Sequence, residues 1–376
     1  MKIEDLQVKQ ELNRNRISVS VSWEDCDQPA KEVFIETDSQ YKLSANSIPH
    51  AFLVGCLVPA LHFGEKRIKI DADISPDLLE GLETIMAIMT IWSQGKYKPL
   101  TVESGIQKTL QKRDNKGRAA MLYSGGIDSL AALRLNRLHF GKDHPGYIRD
   151  CLFIHGFDIG GVVERGMKYH VFDRAVDAMK NVTEDADAIS IPAYTNIRHL
   201  CDNRDLWLNY FFGAVLSAVA HAFDNRIDLF YIASSYDLNN LVPCGSHPLL
   251  DPEYSSSYLK IKHRDVALTR MEKLKIVSEW GPGLQNMRVC LANVQERLNC
   301  GICEKCVRTM TGLLALNSLH KTQAFVEDDV TPEMFAGFKI TIRHREPFYQ
   351  EMIKPLQEIG RLDLVSTIEL KLAEKQ

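Results

Sequence analysis

Between Ala119 and Leu138 three segments follow one another without a spacer: a short apolar run (AAMLY), the bend Ser124-Gly125-Gly126-Ile127-Asp128-Ser129, and a stretch with helical spacing. An apolar run that ends in two glycines and opens at once into a helix is a strand–turn–helix unit. The chain beyond it keeps the same alternation. Strands are expected at Asp150–His155, Ala188–Ile191, Ile227–Ala233 and Tyr258–His263, and helices at Ser129–Leu138, Val162–Val182 and Leu206–Phe223. Strand–helix alternation predicts an α/β fold, a Rossmann-like parallel sheet with helices on both faces. Such sheets bind ligands beyond the carboxyl ends of their strands, where the bend lies.

The rest of the chain is organised around this unit. Residues 1–112 are expected to form a small α+β domain, with strands at Ile17–Trp23, Val33–Thr37 and Arg67–Asp71 and helices at His50–Leu61 and Ser75–Trp92. Residues 113–320 hold the α/β domain, and 321–376 read as a helical segment without visible chemistry. The most apolar stretch, Leu206–Phe223, is broken by Asn209 and His221 and is read as a buried helix, not a membrane span. Lys and Arg number 45 against 49 Asp and Glu, so nothing in the bulk charge favours nucleic acid as a partner. A polar start and nine cysteines, an odd set, point to a reducing cytoplasm.

The bend itself has the makings of an anion site. The first N–H groups of a helix lack partners and carry about half a positive charge. Gly125 and Gly126 let the backbone curl close around an anion, and the hydroxyls of Ser124 and Ser129 add donors. Asp128 repels a bare phosphate but suits one that arrives with Mg²⁺. Neither the Walker lysine nor the three-glycine dinucleotide pattern is present. The plain alternative is a tight turn capped by Asp128 or Ser129.

Cys290, Cys300, Cys303 and Cys306 form a second cluster, C-x₉-C-x₂-C-x₂-C. Four thiolates, with Gly301 freeing the turn, suit a closed tetrahedral Zn²⁺ of structural type. An iron–sulfur cluster and four unligated thiols are the alternatives. Met310 stands where a bacterial ferredoxin run places its fourth cysteine, which favours zinc.

Ser-Gly-Gly-x-Asp-Ser after a first strand resembles the PP-loop ATP pyrophosphatases, the adenine nucleotide alpha hydrolase-like superfamily. The pairing with the cysteine cluster is most similar to 7-cyano-7-deazaguanine synthase, over about Lys116 to Leu319. The resemblance implies cleavage of ATP between its α- and β-phosphates. It implies adenylation of a carboxylate or amide oxygen and attack by ammonia or an amine supplied from outside. Ser124, Gly125, Gly126 and Ser129 would then hold the outer phosphates, Asp128 would serve Mg²⁺, and the cysteines Zn²⁺. The likeness has gaps. Ile127 stands where the family usually has Gln, and the segment Asp237–Asp251, with Pro243 and Cys244, is longer than the family's substrate segment. A different acceptor, in a biosynthetic or anti-phage setting, follows from those departures. Sulfur transfer to tRNA or a small molecule, and a non-catalytic nucleotide-binding subunit, remain as alternatives, and a homodimer is compatible with all three.

Weaker candidates lie at the other strand ends. His155 and Gly156 are placed to meet the nucleotide through backbone. Ser234, Ser235 and Asp237 follow the fourth strand. His247 and Asp251 are candidates for orienting a substrate. Cys244 is a candidate thiol carrier, and His263 and Arg264 are candidates for a phosphate or a carboxylate. Lys305 and Arg308 read equally well as a solvated face.

Overall fold

A computed structural model describes residues 1–374 except 44, 47, 110–116, 158–160, 163–165, 167, 291, 293, 295–296 and 341–345. The expected boundary between residues 112 and 113 lies outside the described residues. The strands are β1 (Lys2–Gln10), β2 (Arg14–Ser22), β3 (Lys31–Asp38), β4 (Arg67–Ile74), β5 (Thr101–Ile106), β6 (Arg118–Leu122), β7 (Ile148–His155), β8 (Ile189–Thr195), β9 (Ile227–Ala233) and β10 (Lys260–Arg264). They form one sheet in the order β10-β9-β6-β7-β8-β3-β2-β1-β4-β5.

From β10 to β8 every neighbouring pair is parallel. The chain runs outward from β6 through β7 to β8, then returns to the other side of β6 for β9 and β10. That reversal makes a crevice between the carboxyl ends of β6 and β9, the point where open α/β sheets bind ligands. The N-terminal strands join the same sheet. Antiparallel pairing of Ile35 with Thr195 and Thr37 with Ala193 links β3 to β8. Each of β6–β10 overlaps an expected strand, though β8 runs four residues further, to Thr195, and Arg118 through Arg264 thus form an α/β framework.

The helices are α1 (Ile48–Phe63), α2 (Pro76–Trp92), α3 (Ile127–His139), α4 (Tyr169–Asp185), α5 (Arg204–Leu206), α6 (Phe212–Ala222), α7 (Arg270–Ser278), α8 (Gly281–Asn286), α9 (Glu304–Ala315), α10 (Glu346–Glu358) and α11 (Leu362–Ala373). They cover both faces of the sheet, and the strand pleat shows why. In β7, Leu152 enters one core while its neighbours Cys151 and Phe153 enter the other; in β9, Phe230 and Ile232 face one side and Tyr231 the other. A strand buried on both faces reads as a continuous apolar run. The first core packs α1, α2 and α6 on the sheet, and the second packs α3, α4, α7, α9, α10 and α11.

Two local departures from expectation bear on function. The helix expected at Val162–Val182 begins only at Tyr169; the residues before it include 163–165 and 167, outside the described set. The apolar stretch Leu206–Phe223 opens with a π-helical turn, Trp207–Phe211, before α6. Among the described residues no helix is long and apolar enough to cross a membrane.

Candidate functional site at the β6–β9 crevice

The bend leaves β6 and enters α3 at the crevice. Gly125 has φ +72°, a conformation that costs an L-residue its Cβ clearance, and a β-carbon there would lie 2.4 Å from Met179 Sδ. Gly126 is the N-cap of α3 and supplies no side chain to cap it, so the first N–H groups of the helix depend on other partners. Ser124 is exposed, and its Oγ stands 3.4 Å from Ser129 Oγ. Ser124 Oγ also accepts from Gly126 N at 3.3 Å, and Ser129 Oγ donates to Gly126 O at 3.0 Å. The predicted donors are therefore together on one small curl of backbone.

Asp128, the expected Mg²⁺ ligand, stands among cations. Arg270 Nη1 donates to both of its oxygens, at 2.8 and 2.7 Å, and Lys273 Nζ lies 3.9 Å away. Arg270 and Lys273 are one turn apart on α7, which packs against α3. Lys273 is 1% exposed, and burial lowers its pKa. Its ammonium donates to Ser234 O at 2.6 Å, so one buried cation ties the loop after β9 to the bend after β6. These cations were not singled out from the sequence. Thr269-x-x-Glu272 forms a capping box at the start of α7, and two basic residues in the first turn oppose the helix dipole. Such a placement is a signal of an anionic counterpart.

The remaining crevice candidates divide into two groups. Asp237 is buried and caps its own loop, accepting from Asn239 N at 3.0 Å and Asn240 Nδ2 at 2.7 Å. Ser234 is buried and its hydroxyl donates to Tyr236 O, while Ser235 is exposed. At the end of β10, His263 Nδ1 meets Asp251 Oδ2 at 2.7 Å, and Ser246 Oγ donates to the same oxygen at 2.6 Å. His247 N donates to Asp251 Oδ1, and the His247 ring packs edge-on to Trp92, with burial lowering its pKa. These residues fasten the segment after β9 onto β10. Arg264 pairs with Asp265. Cys244 is buried and its thiol donates to Leu208 O.

His155, at the end of β7, is fully buried against Tyr169, Phe172 and Tyr194. Among the described residues neither ring nitrogen has a partner, and burial pushes its pKa down to about 4, so it is a neutral member of an aromatic cluster. Gly156 has φ +107°, and a β-carbon there would sit 2.2 Å from Thr195 O, so the position demands glycine. The chain beyond it includes 158–160, outside the described residues.

The four cysteines converge as the spacing predicts. Their sulfurs all lie within 4.8 Å of one another. Sγ of Cys290 is 3.8 Å from that of Cys303, and Cys306 is 3.8 Å from Cys300 and 3.5 Å from Cys303. Four thiolates around one zinc ion, each at about 2.3 Å, stand about 3.8 Å apart, so the donor set fits the metal. Backbone N–H groups of Ala292 and Cys303 point at Cys290 and Cys300, both at 3.3 Å. Cys303 is the N-cap residue of α9 and Cys306 lies in its first turn. Contacts with Cys303 and Cys306 hold the Cys290 thiol far below its usual range, while the same sharing drives Cys306 up. Gly301 has φ +79° and packs against the Glu327 carboxylate.

The cluster and the bend touch. Arg288, two residues before Cys290, donates its backbone N–H to Gly125 O at 2.8 Å. Asn299, one residue before Cys300 and 2% exposed, accepts from Val289 N and Cys290 N and donates to Met287 O and Ala324 O. Arg308 is buried, 3.5 Å from Glu304 and over the Phe348 ring, and so does not belong to a solvated face. Cavities of about 290 and 410 Å³ lie elsewhere, and neither is lined by a residue of the bend or the cluster.

No family model, curated protein or solved structure matches this chain.

Proposed function

We propose that the chain is an ATP-dependent, AMP- and pyrophosphate-forming enzyme that adenylates a carboxylate or amide oxygen for attack by ammonia or an amine. One observation carries this reading: a Ser-Gly-Gly bend with a left-handed glycine, paired hydroxyls and an uncapped helix start sits at the switch point of the sheet, with Arg270 and Lys273 beside it. Preorganised donors and cations aimed at one spot stabilise charge that develops on a departing pyrophosphate. In this reading Ser124, Gly125, Gly126 and Ser129 hold the outer phosphates, and Arg270 and Lys273 neutralise them. Mg²⁺ would come with the nucleotide and meet Asp128, supplying further charge neutralisation. The Cys290, Cys300, Cys303 and Cys306 site would hold Zn²⁺ as a structural brace, since all of its donors are cysteines and none is left open.

The test is product analysis with Mg²⁺-ATP, ammonia and a panel of carboxylates, with metal content measured on the same preparation. Pyrophosphate and AMP should appear together in equal amounts, and Asp128→Ala should abolish both. Release of ADP would overturn the reading. Bound iron with RNA binding would move it to sulfur transfer instead.

A further inference from the structure

The cavity of about 290 Å³ lies where the end of α2 meets the chain between β8 and α6, and it is lined in part by Trp92, Lys96, Tyr97, Asp205, Asn209 and Tyr210. Three features set it apart from an ordinary surface dent. Asn209 is 8% exposed, and its side-chain amide makes no hydrogen bond among the described residues. The amide is therefore open to whatever occupies the cavity. Asn209 also sits inside the π-helical turn Trp207–Phe211, an insertion that such turns commonly devote to function. The turn is held from below by Gly245 N donating to Leu208 O and Gly213 N donating to Gly245 O, both at 3.0 Å.

The walls and the charges name a ligand class. Trp92, Tyr97 and Tyr210 give aromatic surface, with Tyr97 and Tyr210 edge to face at 5.1 Å. Lys96 and Asp205 supply opposite charges, both exposed and neither in an ion pair among the described residues. A phosphate or dicarboxylate site would gather cations alone. Opposite charges over aromatic walls complement a zwitterion with an apolar side chain. The volume is at the small end of ligand pockets and gives room for one amino acid.

We propose that this cavity binds a free L-α-amino acid with a large apolar or aromatic side chain. Lys96 takes the carboxylate, Asp205 the ammonium, and Asn209 a remaining polar atom of the amino-acid backbone. The site goes beyond the adenylation reading and does not depend on it.

The experiment titrates the full chain, without ATP, with L-phenylalanine, L-tyrosine, L-tryptophan and L-leucine by calorimetry. Each is compared with its N-acetyl and methyl-ester form. At least one free amino acid should bind, and blocking either end should weaken it by about two- to fivefold, the worth of an exposed ion pair. Lys96→Met should erase the ester penalty alone, and Asp205→Asn the acetyl penalty alone; both positions are exposed, so neither variant disturbs a core. Asn209→Ala should weaken binding by about tenfold. Absence of binding at millimolar concentration would overturn the proposal. So would blocked forms that bind as well as free ones, or end-specific penalties unchanged in the two rim variants. Because ATP is left out, either result leaves the test of the adenylation reading untouched.

Discussion

Asn299 is the residue whose loss should reveal whether the cysteine cluster supports the Ser-Gly-Gly bend. Its side chain makes four hydrogen bonds from a site 2% exposed, to Val289 N, Cys290 N, Met287 O and Ala324 O, at 2.8–3.2 Å. At about 1 kcal/mol net for each, Asn299→Ala should destabilise the protein by about 4 kcal/mol. The four thiols remain, so metal content should stay near the wild-type level. The second consequence lies at the bend. Arg288 N, held between Met287 and Val289, is the fixed partner of Gly125 O. Once that segment is loosened, Gly125 must be ordered when an anion binds, at about 1–2 kcal/mol. Pyrophosphate affinity should fall about five- to thirtyfold. Urea unfolding, metal analysis and pyrophosphate calorimetry at a temperature where both proteins are folded read the three effects. Asn136→Ala is the control: Asn136 is fully buried and bonds Gly146 and Ile148, with no bond to the bend. If Asn299→Ala lost stability yet bound pyrophosphate as tightly as the control, the brace between the cluster and the bend would be refuted.

Two further predictions concern the bend and the core. Gly125→Ala should cost about 2–4 kcal/mol, from a positive φ and a β-carbon 2.4 Å from the sulfur of buried Met179, and should abolish nucleotide binding before it abolishes folding; unchanged calorimetric affinity for ATP would count against the bend as the site. His50 and His155 are both buried, with pKa pushed down to about 4 from 6.5 by burial. The unfolded chain therefore takes up protons first, so their contribution is complete above pH 6.5 and is lost as pH falls toward 4, by about 2 kcal/mol for each at pH 5. Urea midpoints at pH 7 and pH 5 measure this, and His155→Phe should flatten the slope.

The parallel half of the sheet was legible because its strands are buried on both faces. β6, β7 and β9 each carry a short apolar run, Ala119–Leu122, Cys151–Ile154 and Leu229–Ala233, and β9 was placed at Ile227–Ala233 to the residue. The N-terminal strands divide for a physical reason. β2 and β3 alternate, because they cover one core, but β1 exposes seven consecutive residues, Glu4–Gln10, and shows no apolar signal. β5 (TVESGI) lies at the edge of the sheet and is half exposed, and it too gave no pattern. The cysteines were legible because knuckle spacing is local in sequence. Arg270, Lys273 and Asn299 were not, because each acts across long sequence separations: Arg270 reaches Asp128, and Lys273 reaches Ser234.

Asp128 is where the sequence and the structure pull hardest against each other. Read alone, a carboxylate beside a phosphate loop asks for a divalent cation. In the folded chain Arg270 and Lys273 already supply positive charge around it, and Lys273 is buried. A buried ammonium is costly unless an anion stands near, and Asp128 is that anion while the crevice is open to solvent. In the proposed function, entering phosphate groups would offer the same two cations an alternative partner. The Asp128 carboxylate would then be free to hold a Mg²⁺ ion arriving with them. On that proposal the aspartate would serve in turn as a stand-in for the ligand's charge and as a ligand of its counter-ion. Both roles require the cations on α7 and the bend before α3 to be held at one fixed separation, and the contact between those two helices maintains it.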